Sequence, residues 1–113
     1  MKTLKNIFLI IILSVFAEKI SAQQDSTIII KTSAQCEDCK KRIENALNFE
    51  KGVKSGIVDL KTKEATVVFD YNKTSSEKVR IAITKAGYDA DKISANAKAY
   101  KKLPKCCQKG GHE

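Results

Sequence analysis

Two cysteines three positions apart, Cys36 and Cys39, most strongly constrain what this chain can fold into. A β-branched apolar run at residues 27–32 precedes them, and a helical pattern follows directly after. The sequence therefore predicts a strand that delivers the pair to a loop, and a helix that begins there. Unpaired N–H groups and the dipole at a helix start favour negative charge, so thiols there lose their protons more easily. The thiolate is the form that binds a metal ion or attacks a disulfide.

Charged residues around the two cysteines act in opposite directions. Lys40, Lys41 and Arg42 add positive charge that favours a thiolate. Glu37 and Asp38 suit a helix N-terminus, where negative charge is stabilised, but they oppose a thiolate. Together with the helix start, this arrangement predicts that the pKa of the thiols is lowered.

The first 22 residues have the three-part pattern of a secretory signal peptide. A positively charged start precedes an apolar run at residues 7–16, and Ala22 offers a small residue for cleavage. The apolar run is short for a membrane anchor, which needs about 20 apolar residues. We therefore expect cleavage before Gln23 and an exported protein, either periplasmic or secreted.

The patterns that follow predict one α+β domain over residues 23–93. The predicted order is strand, helix, strand, strand, helix, strand, with a hairpin turn at residues 61–63 and a short last strand at residues 88–93. This βαββαβ order is ferredoxin-like, with two helices on one face of a four-stranded antiparallel sheet. Phe69 in the third strand and Ile83 in the second helix are expected to face the core. The cysteine loop, the hairpin turn and the end of the second helix should lie close together.

A second group of soft metal ligands lies in the predicted C-terminal extension, residues 94–113. It comprises Cys106, Cys107 and His112. Short Cys/His tracts are compositional evidence for metal binding, so we interpret these residues as candidate secondary ligands. The alternative is a loose basic tail with unused thiols. Because the fourth strand would end opposite the cysteine loop, the extension must double back to reach Cys36.

Five short blocks carry a family resemblance: Cys36-Glu37-Asp38-Cys39, Gly52-Val53, Val58-Asp59-Leu60, Val67-Val68-Phe69-Asp70 and Ala86-Gly87-Tyr88-Asp89-Ala90. In this order they resemble the heavy-metal-associated domain, the family of copper chaperones, copper-ATPase metal-binding domains and periplasmic mercury-binding proteins. The resemblance implies a ferredoxin-like fold, metal ligands at Cys36 and Cys39, and a place for Tyr88 beside them. The family usually has Gly-Met-Thr or Gly-Met-His before its first cysteine, whereas this chain has Ser33-Ala34-Gln35.

Two thiolates in an exposed loop suit a soft ion that accepts few ligands. Cu(I) is the expected ion, and Hg(II) fits on the same grounds. Structural Zn(II) takes four protein ligands, so zinc would need help from the extension or from a second molecule. We therefore predict a monomeric metal carrier or sequestering protein without enzymatic activity. Its expected partners are the metal ion and either a metal-transporting membrane protein or another metal-binding domain.

A thiol–disulfide oxidoreductase is the main alternative, because such enzymes use C-x-x-C at a helix N-terminus in exported proteins. The order of elements argues against this enzyme. A thioredoxin-like fold would need a proline that faces the substrate far downstream of the motif, whereas the only proline, Pro104, lies in the extension. A local disulfide or an inert pair at Cys36 and Cys39 is a second alternative, and an interaction module with incidental cysteines is a third. The net charge of +8 comes from dispersed lysines on an exported chain, so nucleic acid is not an expected partner.

Overall fold

The fold is built on three antiparallel strands and two long helices. The computed structural model describes residues 24–111. Its elements are β1 (Asp25–Lys31), α1 (Glu37–Phe49), β2 (Val53–Asp59), β3 (Glu64–Asp70), α2 (Ser76–Lys85), α3 (Ala97–Lys101) and a 3₁₀ turn at Lys105–Cys107. The strand order is β1–β3–β2, as in an α+β ferredoxin-like arrangement. The predicted signal peptide and His112 lie outside the described residues, and no helix within those residues has the length and apolar character to cross a bilayer.

Side chains of β3 alternate between a buried and an open face. Ala65, Val67 and Phe69 are buried, in agreement with the alternation in the sequence. The neighbouring strand β1 follows the same rule, since Ile30 is fully buried and Ile29 is 60% exposed. One face of the sheet therefore carries the core, and the other remains open.

The two long helices pack on the buried face of the sheet. In α1 the apolar stripe consists of Cys39, Ile43 and Leu47, which recur every four residues and are fully buried. Gly56 lets α1 approach β2 closely, because a Cβ at this position would lie 2.7 Å from the side chain of Leu47. Helix α2 adds Ile83 to the same core. The predicted pair of helices on one face is therefore confirmed.

The fourth strand predicted after α2 is not formed in the described residues. There Ala90 makes two isolated bridges, one with Thr32 and one with Ile93. Asp91, with a φ of 52°, reverses the chain within this short segment. Its carboxylate accepts a hydrogen bond from the backbone N–H of Lys31 at 2.8 Å. The backbone N–H of Asp91 also donates to the carbonyl of Lys31 at 2.8 Å, so the segment pairs with the end of β1 at this point only and does not continue as a strand.

The C-terminal extension packs against the domain rather than forming the loose tail considered above. Asn96 caps α3, its side chain accepting a hydrogen bond from the backbone N–H of Ala99 at 3.0 Å. Beyond α3 the chain buries Leu103 and Cys107, which join the hydrophobic core. The extension therefore doubles back across the domain and reaches the cysteine loop.

Candidate metal centre

Hydrogen bonds hold the cysteine loop between the hairpin turn and the segment after α2. The backbone N–H and the hydroxyl of Thr32 both donate to the carbonyl of Lys63 at 2.8 Å. The backbone N–H of Asp89 donates to the hydroxyl of Ser33 at 2.9 Å. Ala34, which precedes the first cysteine by two residues, is fully buried. The predicted clustering of the three loops is confirmed.

The first two cysteines take different positions at the start of α1. Cys36 is the N-cap residue with an extended backbone, and its carbonyl accepts from the N–H of Lys40 at 3.0 Å. Cys39 lies in the first turn and is fully buried, whereas Cys36 is half-buried. Their sulfurs are 3.1 Å apart. The sequence correctly predicted that Cys39 would face inward and Cys36 would lie nearer the surface.

The extension brings two more sulfurs to this place. The Sγ of Cys107 lies 3.6 Å from the Sγ of Cys36, and the Sγ of Cys106 lies 3.9 Å from that of Cys107. The sulfurs of Cys36, Cys106 and Cys107 all lie within 4.8 Å of one another. All four cysteines are free thiols. The structure therefore brings together four of the five candidate ligands, and the fifth, His112, lies outside the described residues.

The Cys36 thiol ionises more readily than the thiols of Cys106 and Cys107. Burial opposes its ionisation, but hydrogen bonds from the thiol and backbone N–H of Cys39, and then from Cys107 and Cys106, lower its pKa from 9.0 to about 6. Burial and the neighbouring Cys39 raise the pKa of Cys107. The hydrogen bond with Cys36, followed by burial, raises the pKa of Cys106. At neutral pH the site therefore holds a thiolate at Cys36, beside the protonated thiols of Cys106 and Cys107.

Two of the basic side chains that follow Cys39 form hydrogen bonds or ion pairs with groups other than the thiols. Lys40 Nζ donates to the carbonyl of Val58 at 2.9 Å. Arg42 pairs with the carboxylate of Asp38 at 3.3 Å. The lowered pKa of Cys36 therefore comes from sulfur and backbone hydrogen bonds, and not from the lysines to which the sequence pointed.

Tyr88 lies beside the buried sulfurs, as the family resemblance implied. Its side chain is fully buried, and its hydroxyl makes no hydrogen bond within residues 24–111. Burial raises the pKa of Tyr88, and the adjacent Cys107 and Cys39 raise it further. The tyrosine is therefore a neutral neighbour of the cluster.

The residues that fix the extension were not anticipated from the sequence. Gln108 Nε2 donates to the carbonyl of Leu103 at 3.0 Å, and Lys109 Nζ forms an ion pair with Asp89 at 2.7 Å. The available signal was Leu103, an isolated apolar side chain in a basic stretch. An apolar residue in such a place indicates a segment that packs on something.

Alkylation of Cys36 in the reduced, metal-free protein is expected to show a midpoint near pH 6, because the thiolate is the reacting form. The rate should therefore already be near its plateau at neutral pH. Iodoacetamide labelling over a pH series, read by peptide mass spectrometry, measures this. Cys39→Ala, which removes the neighbouring thiol, should move the midpoint upward. A midpoint near 9.0 in the parent protein would contradict the hydrogen-bonding scheme.

Comparison with known protein families shows to which family this chain belongs. The profile of the heavy-metal-associated domain matches residues 30–89, more than half of the chain. The chain belongs to this family. The match contains the Cys36–Cys39 loop and ends one residue after Tyr88, so Cys106 and Cys107 lie beyond the part of this heavy-metal-associated domain that the family profile covers.

Two curated relatives of this heavy-metal-associated domain are copper pumps. The copper-transporting ATPase HMA4 of Oryza sativa subsp. japonica is 43% identical over 60 residues, which is 53% of this chain and 6% of the ATPase. The copper-exporting P-type ATPase of Staphylococcus aureus (strain JH9) is 39% identical over 59 residues, 52% of this chain and 7% of the ATPase. The chain thus spans only a small part of the length of these relatives.

Solved structures of small metal-handling proteins superpose on the heavy-metal-associated domain. The CopZ metallochaperone is 33% identical with a TM-score of 0.56, over 57% of this chain and 98% of CopZ. Oxidized MerP from Ralstonia metallidurans CH34 is 29% identical with a TM-score of 0.57, over 59% of this chain and 94% of MerP. The mercury-bound form of MerP, a periplasmic protein of bacterial mercury detoxification, is 29% identical with a TM-score of 0.54, over the same shares.

Proposed function

We propose that this protein is exported and holds one soft metal ion, in the first place Cu(I), through the thiolates of Cys36 and Cys39. The observation that carries this proposal is the pair of sulfurs 3.1 Å apart at the start of α1, one of which has a pKa lowered to about 6. An ionised sulfur is the form that ligates metal, and thiolates select soft ions. The protein acts by binding and not by catalysis.

The relatives support the choice of ion and the kind of partner. Two of them are named as copper-transporting or copper-exporting ATPases, one as a metallochaperone, and one as a mercury-bound periplasmic protein. Hg(II) is therefore the second ion in order of preference, and Zn(II) the third. The partner class is a metal-transporting membrane protein or another metal-binding domain, and the protein acts as a monomer.

Native mass spectrometry of the reduced mature protein tests this function directly. Cu(I), Hg(II) and Zn(II) are offered together in equal amounts, and the expected product is a one-to-one complex with Cu(I) or Hg(II), because thiolates prefer soft ions. A protein that takes up only Zn(II), or no ion, contradicts the proposal. Rapid reduction of substrate disulfides by the metal-free protein, with a mixed disulfide trapped at Cys36 in Cys39→Ser, would establish the oxidoreductase instead.

The exported protein is expected to begin at or near Gln23, because a small residue, Ala22, follows the apolar stretch of the predicted signal peptide. N-terminal sequencing of the protein recovered from the periplasm or the medium measures this. An exported protein that retained Met1 would refute the processing step, although it would leave the metal site untouched.

A further inference from the structure

The sulfurs of Cys36, Cys106 and Cys107 lie within 4.8 Å of one another, and the sulfur of Cys39 lies 3.1 Å from that of Cys36, although the family profile covers only Cys36 and Cys39. We propose that Cys106 and Cys107 are ligands of the same ion that Cys36 and Cys39 hold. The C-terminal extension then encloses the ion in a site of three or four thiolates, and the protein retains its metal rather than passing it on quickly. This inference rests on the proposed function and adds to it how many thiolates hold the ion and how quickly the ion is released.

The sulfur spacing fits a site with three or four sulfurs better than a linear pair. Metal–thiolate bonds of about 2.3 Å place sulfurs about 3.8 Å apart in a tetrahedron and about 4.0 Å apart in a trigonal plane. A linear two-sulfur site would separate them by about 4.6 Å. The contacts from Cys36 to Cys39, from Cys36 to Cys107 and from Cys106 to Cys107 are 3.1, 3.6 and 3.9 Å. Small shifts would therefore let Cys36, Cys106 and Cys107 bind one ion, and Cys39 would complete the set by moving toward Cys106 and Cys107.

Contacts that involve no cysteine hold the extension against the domain, so the positions of its sulfurs do not depend on metal ligation alone. Tyr100 accepts a hydrogen bond at its hydroxyl from the backbone N–H of Lys109 at 2.8 Å. The side chain of Lys109 pairs with Asp89 at 2.7 Å. Gly87, with a φ of 104°, gives α3 room, because a Cβ there would lie 3.1 Å from the carbonyl of Ala99. Such preorganisation lowers the entropy cost of recruiting the extra ligands.

The surroundings can also accept the negative charge of several thiolates. The hydroxyl of Tyr88, buried without a partner in the described residues, is a donor beside the sulfurs of Cys39 and Cys107. The carboxylate of Asp38 lies 3.9 Å from the Sγ of Cys107, but its charge is balanced by Arg42 at 3.3 Å. Hydrogen bonds to sulfur stabilise thiolate ligands.

An enclosed ion leaves slowly because a partner thiol has no open position to attack. Exchange then requires that a ligand from the extension detach first. The expected contrast lies between a slowly exchanging parent protein and a variant that lacks the two sulfurs of the extension and exchanges its ion quickly.

X-ray absorption at the copper edge tests the ligand count on the full mature chain loaded with one equivalent of Cu(I). The parent is expected to have three or more sulfur neighbours, and the Cys106→Ser, Cys107→Ser double variant two. Lys105→Ala is the matched control, because it changes an exposed side chain of the same 3₁₀ turn and keeps all four sulfurs. Cys106→Ser alone, at a half-buried position, carries less risk to folding and should lower the sulfur count by one relative to the parent.

The rate at which a chelator extracts Cu(I) gives an independent readout. Extraction should be at least about tenfold faster from the double variant than from the parent or from Lys105→Ala, which corresponds to about 1.4 kcal/mol. Two sulfur neighbours in every protein, with equal extraction rates, would overturn the enclosed site and leave the Cys36–Cys39 function standing. A parent that binds no Cu(I) would overturn both.

Discussion

Replacing Cys36 and Cys39 together with serine is expected to lower the affinity for Cu(I) by orders of magnitude. The double variant loses the ionised sulfur, whose pKa is about 6, and its neighbour at 3.1 Å. Serine offers a hard hydroxyl, which is a poor ligand for a soft ion. Competition for Cu(I) with a chromophoric chelator measures the loss, and each factor of ten corresponds to about 1.4 kcal/mol.

Lys41→Ala is the control for this experiment. Lys41 is exposed on α1, and no hydrogen bond from the lysines contributes to the lowered pKa of Cys36, so the affinity should stay unchanged. If the double cysteine variant bound Cu(I) as tightly as the parent, the pair at α1 would not be the primary site. The extension, with Cys106 and Cys107, would then become the candidate.

Phe69→Ala is expected to lower the free energy of unfolding by about 3–5 kcal/mol, the usual range for truncating a buried phenylalanine. Phe69 is 2% exposed in the central strand β3 and belongs to the core beneath both helices. Truncation removes apolar contacts and leaves a cavity that a packed core cannot fully close. Urea unfolding of the reduced, metal-free protein measures the loss without a contribution from bound metal.

Phe49→Ala makes the same chemical change at a site that is 90% exposed. It should alter the free energy of unfolding by no more than about 0.5 kcal/mol, as surface substitutions usually do. Ile83→Ala tests the helix side of the core, with an expected loss of about 2–5 kcal/mol. Equal stabilities of Phe69→Ala and Phe49→Ala would show that the assigned core is incorrect.

Local periodicity was sufficient to predict most of the domain. Alternation along β3 placed Phe69 inside, and the four-residue spacing of Cys39, Ile43 and Leu47 defined the buried side of α1. The same spacing put Cys39 inward and Cys36 near the surface. These features depend on residues close in sequence, so the pattern in the chain contains them.

Contacts between segments that are distant in sequence could not be predicted from the periodicity of the sequence. The segment after α2 reads as a strand, but Asp91 turns it and uses a carboxylate to satisfy the backbone of Lys31, 60 positions away. The approach of Cys107 to Cys36 joins residues 71 positions apart. Leu103 indicates that the extension packs, but nothing in the local pattern shows where it packs, so the approach of Cys106 and Cys107 to Cys36 became visible only in three dimensions.

Mapping which cysteines the bound ion protects tests the central claim most directly, because it needs no substitution. The reduced full chain, with and without one equivalent of Cu(I), is treated with N-ethylmaleimide, and the labelled peptides are identified by mass spectrometry. Bound thiolates react slowly, so protection of Cys36, the half-buried thiolate of the pair, is the predicted result. Labelling of Cys36 at the metal-free rate, while the ion remains bound, would contradict the account.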